Sequence, residues 1–160
     1  MSTSAASEIE IRPGDLADPR VVRLLEAHLA DMFATSPAES VHALDLSGLA
    51  AGDVAFWTIG EGPDLLGCVA LKHLDARHGE LKSMRTDAAA RGLGLGARLL
   101  EHAISEARRR GYRRISLETG SEEFFRPART LYAKYGFVEC PPFGSYRADP
   151  NSVFMTLELA

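Results

Sequence analysis

Arg91-Gly92-Leu93-Gly94-Leu95-Gly96 lies where the sequence changes period, and the reading of the whole chain turns on it. Before it, Glu80 to Thr86 (ELKSMRT) reads as a strand. After it, Leu95, Leu99, Leu100, Ala103, Ile104 and Ala107 recur at helical spacing. Three glycines in such a turn let a backbone approach a ligand closely, and the following helix N-terminus offers unpaired amides to phosphate oxygens. Arg91 adds a positive charge. The plainer alternative is a turn that only joins a strand to a helix.

Working outward, Ser7 to Arg12 alternates as a first strand ended by Pro13-Gly14-Asp15. Asp18 then caps a helix with Pro19 at its first position, and Val22, Leu25, Leu29 and Met32 follow at helical spacing. Ser36-Pro37-Ala38-Glu39 is a capping box that opens a second helix to about Leu44. Asp53 to Ile59 and Leu65 to Leu74 flank Gly60-Glu61-Gly62-Pro63-Asp64 as a β-hairpin, with ELKSMRT as the next antiparallel neighbour. The central helix ends in Arg108-Arg109-Arg110-Gly111, a conventional C-terminus. Ile115 to Thr119 is a strand, Pro127 to Tyr135 a short helix, and Phe137 to Cys140 and Ser152 to Leu159 the last strands. The order β-α-α-β-β-β-α-β-α-β-β is mixed α/β, a mostly antiparallel sheet of about seven strands with about four helices.

The 160 residues are 46% hydrophobic and 25% charged, which is the composition of one globular domain, with residues 1–6 a loose N-terminus. Cys68 and Cys140 form no metal-binding or disulfide pattern, and no apolar run is long enough to span a bilayer. The expected setting is therefore the cytoplasm, with no metal and no membrane partner. The formal net charge of -4 argues against general nucleic-acid binding, but it is uneven. Residues 1–71 carry 3 basic against 11 acidic side chains, residues 72–134 carry 14 against 8, and residues 135–160 carry 1 against 3. An anion belongs in the middle segment, and a cation beside the acidic N-terminal part. The arginines from Arg108 to Arg114 could otherwise form a nucleic-acid or partner surface, although helix capping explains most of them.

Gly92, Gly94 and Ala97 also satisfy a dinucleotide fingerprint, with Glu118 near the ribose position. That fingerprint requires a doubly wound sheet, which the preceding hairpin and the 64 residues after Gly96 do not supply. No P-loop lysine follows either. In its surroundings the turn instead resembles the R/Q-x-x-G-x-G/A motif of the GNAT N-acetyltransferases. Arg91, Gly94 and Gly96 fill its defined positions, and Ala128-Arg129-Thr130-Leu131-Tyr132-Ala133-Lys134-Tyr135-Gly136-Phe137 resembles the second signature of that family. ELKSMRT, SLETGS and DPNSVFMT are similar, more narrowly, to a bacterial YsnE-like subgroup.

That resemblance implies a single GNAT domain over residues 1–160, acetyl-CoA as cosubstrate, and transfer to a primary amine of a small molecule or peptide by direct attack in a ternary complex. It also implies a homodimer as the frequent assembly. A non-catalytic CoA-binding sensor is the alternative. The cofactor contacts it implies are Met84, Thr86, Arg91, Gly92, Leu93, Gly94, Leu95, Gly96, Ala97 and Tyr132. Tyr132 matches the general acid, since a phenol stays protonated at neutral pH. Met84 supplies the backbone donor for the developing oxyanion. Glu80 is the candidate general base; in an ideal strand it shares a face with Met84. A solvated strand-edge carboxylate is the other reading of it. Glu39, His42 and Tyr146 are candidate acceptor contacts, with Cys140 and Phe143 as further walls of the cleft. Tyr135 reads as a buried tyrosine. Where many relatives carry an asparagine seven residues before the signature tyrosine, this chain has Phe125, so the polar contact of that asparagine does not carry over.

Overall fold

A computed structural model describes residues 9–38, 46–87, 90 and 92–159, with only the backbone described at Leu46 and Ser47. The elements in chain order are β1 (Ile9–Pro13), α1 (Pro19–Thr35), α2 (Leu46–Leu49), β2 (Val54–Glu61), β3 (Asp64–Asp75), β4 (His78–Thr86), α3 (Leu95–Arg109), β5 (Arg114–Gly120), α4 (Arg126–Lys134), β6 (Val138–Glu139) and β7 (Ser152–Glu158). A 3-10 turn at Glu123–Phe125 leads into α4. The strands and the three longer helices follow the expected order, and among the described residues the class is mixed α/β, with the single turn of α2 lying beyond the expected second helix. The expected second helix up to Leu44 and its cap at Glu39 fall outside the described residues. Ser36 is the C-cap of α1 and gives its hydroxyl to Glu122 Oε1 at 3.3 Å.

Local chemistry accounts for the ends of these elements. Asp18 Oδ1 accepts the Arg20 amide at 2.9 Å, satisfying one orphan donor of α1. At the far end of α3, Gly111 has φ +82, and the amides of Gly111 and Tyr112 return to the carbonyls of Arg108 and Ala107. That left-handed closure favours glycine.

The seven strands form one sheet in the order β1-β2-β3-β4-β5-β7-β6. Every neighbouring pair is antiparallel except β4 with β5, which run parallel and pair only from His78–Arg114 to Glu80–Ser116. Beyond Glu80 the two central strands are unpaired with each other. Both faces of the sheet are covered. Val69, Leu71, Leu81, Ile115 and Leu117 pack with Leu95, Leu99, Leu100 and Ala103 of α3 on one side. Phe56, Cys68 and Ala70 pack with Val21, Leu24 and Leu25 of α1 and Leu49 of α2 on the other. Burial on both faces explains why β3 reads as a nearly continuous apolar run.

Leu99 is fully buried at the centre of the larger core. Leu99→Ala is expected to lower unfolding free energy by about 2–5 kcal/mol, checked by urea denaturation at neutral pH.

Candidate active site

The site begins with a single extra residue in β4. Cys68 pairs with Arg85 and Ala70 with Lys82, so Ser83 and Met84 together stand opposite Val69 alone. Ser83 takes the strain of this bulge, with φ +54, a region that non-glycine residues seldom occupy. The bulge inverts the side-chain alternation. Leu81 and Met84 both join the core beneath α3, whereas Arg85 turns to α1 and bonds Asp31. Glu80 therefore does not share a face with Met84, correcting the expectation drawn from an ideal strand.

Where β4 and β5 part, they leave a cavity of about 330 Å³ that opens toward both layers of helices. Met84, Thr86, Gly96, Leu131 and Tyr132 line its side toward α3 and α4. His28, Asp31 and Met32 of α1 line the other, with Ser83, Arg85 and Glu118 on the walls between. Four of the expected cofactor contacts (Met84, Thr86, Gly96 and Tyr132) thus meet in one space. A Cβ added at Gly96 would lie 3.3 Å from Leu131, 3.8 Å from Thr86 Oγ1 and 3.9 Å from Met84 Cε, so the bare glycine holds this wall close.

Gly92, Leu93, Gly94, Leu95 and Ala97 form the turn and first residues of α3, next to the cavity; Arg91 lies outside the described residues. Gly94 is the N-cap at φ +77 and offers no side chain to the helix. No acidic residue occupies the first turn. The leading amides of α3 are thereby left for an external acceptor, and the helix dipole favours an anion there. A diphosphate fits that donor set. Leu93 is 63% exposed at the tip of the turn.

Tyr132 is 6% exposed. Burial first, and then the charge of Glu118, push its hydroxyl above the ordinary phenol range, so it keeps its proton at physiological pH. Tyr135, expected to be buried, is only partly so and donates its hydroxyl to Glu101 Oε2 at 2.5 Å. Phe125 lines the cavity and packs so tightly over Gly120 that an added Cβ there would lie 2.1 Å from its ring. An apolar contact thus occupies the position of the missing asparagine.

Glu80 does not line this cavity. Its buried Oε2 accepts from Tyr146 Oη at 2.6 Å and from Lys82 Nζ at 3.1 Å, while Lys82 also bonds Tyr146 Oη at 2.8 Å. Burial and the neighbouring Glu80 carboxylate raise the Tyr146 hydroxyl above its usual range. These three groups tie the loop after β6 to β4, and the aromatic contacts of Phe143 with His78, Tyr146 and Phe154 continue the anchor. Glu80 is thus neither solvated nor at the cavity surface. Tyr146 and Glu80 share a separate groove with Lys72 and Asp149, and Lys82 lines both spaces. Glu39 and His42 lie outside the described residues. Residues 9–38 do contribute to the site through α1.

His28, Asp31, Lys82 and Arg85 are polar cavity residues to which the sequence assigns no site role. Glu118 carried a signal, a carboxylate in a strand two residues before a glycine, and it was read against the dinucleotide pattern. Among the described residues no group of three His, Cys, Asp or Glu side chains could hold a metal ion, and no helix is long and apolar enough to cross a membrane.

Comparison with known proteins agrees with the fold. Residues 21–137 match the family model described as Acetyltransferase (GNAT) family. The chain is 51% identical over 151 residues to the uncharacterised N-acetyltransferase YsnE of Bacillus subtilis, covering 94% of this chain and 100% of that one. It is 44% identical over 149 residues to the uncharacterised N-acetyltransferase YedL of Escherichia coli, covering 93% and 94%. A solved Klebsiella pneumoniae protein named for the acyl-CoA N-acyltransferases superposes with a TM-score of 0.80 at 30% identity, covering 95% of this chain and 98% of its own.

His28, 8% exposed, supplies a test of the site's packing. Burial, with Arg85 adding to it and Asp31 opposing, pushes its imidazole down to about 4 from 6.5. The unfolded chain therefore binds the extra proton between those values. The neutral histidine contributes its stability above about pH 6.5, and that contribution is lost as pH falls to about 4. Unfolding free energy is expected to fall by up to about 3 kcal/mol across this window on account of His28. His28→Gln flattens that part of the profile, checked by urea melts at pH 7 and pH 4.5.

Proposed function

The chain belongs to the GNAT acetyltransferase family and is an acyltransferase, and on that premise we propose that it transfers the acetyl group of acetyl-CoA to a primary amine of a small molecule or peptide by direct attack in a ternary complex. The observation that carries this reading is the meeting of Tyr132, Met84, Thr86 and Gly96 in one cavity beside the uncapped start of α3. When bound, acetyl-CoA supplies the thioester carbonyl and the thiolate leaving group.

The residues divide the remaining work. The amides from Gly94 onward hold the diphosphate, with Arg91 adding charge. Met84 lies in the bulge and past the last β4–β5 pair, and its amide takes the role of donor to the developing oxyanion. Tyr132 holds the proton that the departing sulfur needs, and the burial that raises its pKa acts equally on a thiolate beside it. The base is Glu118, the carboxylate on the cavity wall nearest Tyr132 in charge effect, acting directly or through water. Ser152 Oγ donates to its Oε2 at 2.8 Å and orients it. Glu80, the base expected from sequence, positions Tyr146 and Lys82 instead. Overall an acceptor ammonium gives up two protons, one balancing that delivered to sulfur and one passing to solvent by way of Glu118.

A thermal shift of several degrees with CoA or acetyl-CoA is expected, followed by thiol release with a panel of amines. Tyr132→Phe should lower turnover about 10- to 1000-fold with little change in the acetyl-CoA shift. Glu118→Gln should remove the acidic limb of the pH-rate profile, while Glu80→Gln should keep that limb and lower thermal stability. A shift without thiol release from any amine would assign the non-catalytic, CoA-binding alternative.

A further inference from the structure

The acetyl-transfer reading leaves one end of the cavity unassigned, the end beneath α1. Arg85 has a side chain only 9% exposed and commits Nη1 to Asp31 Oδ2 at 2.7 Å. Its Nε is buried without a hydrogen-bond partner among the described residues, and so is the hydroxyl of Ser83, two residues away on the same wall. Buried donors are almost always satisfied in folded proteins, so two orphans on residues that line one cavity mark groups that a ligand there would satisfy. An arginine Nε–H can only donate, and a serine hydroxyl donates as readily as it accepts. The group that satisfies both is rich in acceptors and compact, and beside a guanidinium it is best ionised.

The charges around the cavity narrow the choice. Asp31 and Glu118 stand against Arg85 and Lys82, and His28 is neutral above about pH 4 because of its burial. Lys82 is already bonded to Glu80 and Tyr146. Lys82 pairs with Glu80 and Arg85 with Asp31, so the walls present orphan donors at Ser83 and Arg85 at one end and the Glu118 carboxylate beside Tyr132 at the other. Such a surface suits a zwitterion better than a simple cation. The geometry points to an amino-carboxylate acceptor, whose carboxylate accepts from Arg85 Nε and Ser83 Oγ while its amine lies toward Glu118 and Tyr132. This rests on the reading of the cavity as the acetyl-transfer site. It also joins to an anionic group the cation that the acidic N-terminal segment suggests.

The test compares product-like ligands, so that binding is read without turnover. In the presence of CoA, the twenty N-acetyl-L-amino acids are titrated calorimetrically, each beside its own C-terminal carboxamide. At least one carboxylate form is expected to bind about 10-fold or more tightly than its carboxamide, and that ratio should fall below about 3 in Arg85→Gln and in Ser83→Gly. Ser83→Gly removes the hydroxyl at a φ that glycine adopts freely, so it decides the matter if Arg85→Gln does not fold. A CoA-dependent thermal shift shows which variants are intact. Carboxylate and carboxamide binding alike throughout, or a preference that survives in the intact variants, would overturn the inference. Thiol-release assays with free amino acids and their amides separate the two readings. Equal kcat/KM for both would overturn the carboxylate site and leave acetyl transfer standing. Carboxylate-selective binding without thiol release would support the carboxylate site and remove acetyl transfer.

Discussion

One residue too many in β4 governs the centre of this protein. An extra residue in one strand of an antiparallel pair must either slip the whole register or be absorbed locally, and a slip would turn every later side chain to the wrong face. Here Ser83 absorbs it by entering the left-handed region, and the cost of that conformation is held in place by buried neighbours on both sides. The inverted alternation gives Met84 and Thr86 to the α3 side and Arg85 to the α1 side. A single backbone irregularity thereby sets which side chains face each layer of helices.

The parting of β4 from β5 is the second half of the same constraint. Parallel pairing stops after three residue pairs, and the backbone beyond it would leave polar groups facing a void unless something filled the gap. Side chains of Leu117, Glu118 and Tyr132 line that gap without closing it. The sheet is continuous where β3 and β4 pair and open where β4 and β5 diverge. The buried contacts among Glu80, Lys82 and Tyr146 hold the lower part of the same strand against the C-terminal loop. A buried charge pair of this kind depends on its hydrogen-bonded partner, because removing one member would leave the other uncompensated.

The legible parts of the fold were those whose signal is local. Asp18 with Pro19, the apolar repeat from Leu95 to Ala107, and Gly111 after a basic last turn each state a helix boundary in a few residues. Strand limits moved by one or two residues at their ends, as at His78 and Val138, where pairing rather than composition decides the boundary. Tyr132 and Gly96, which line the cavity, were legible because a motif singles them out. Glu80 was misplaced, because strict alternation was assumed across a strand that breaks it. Arg85 carried no signal, since an arginine in a strand is ordinary until its surroundings are known.

The sequence by itself determined the order of elements, the glycine turn before the central helix, the tyrosine on α4 and the family these motifs point to. Those features rest on interactions within a few residues or one helical turn, which composition and spacing express directly. The tertiary structure alone decided which carboxylates line the cavity, that Glu80 is bound to Tyr146 and Lys82, and that Arg85 has a buried donor with no partner among the described residues. Each of these depends on groups separated by tens of residues and on one bulge that reverses the facing of a strand. No period in the sequence records such a reversal, because the energy that selects it comes from packing on both sides of the sheet.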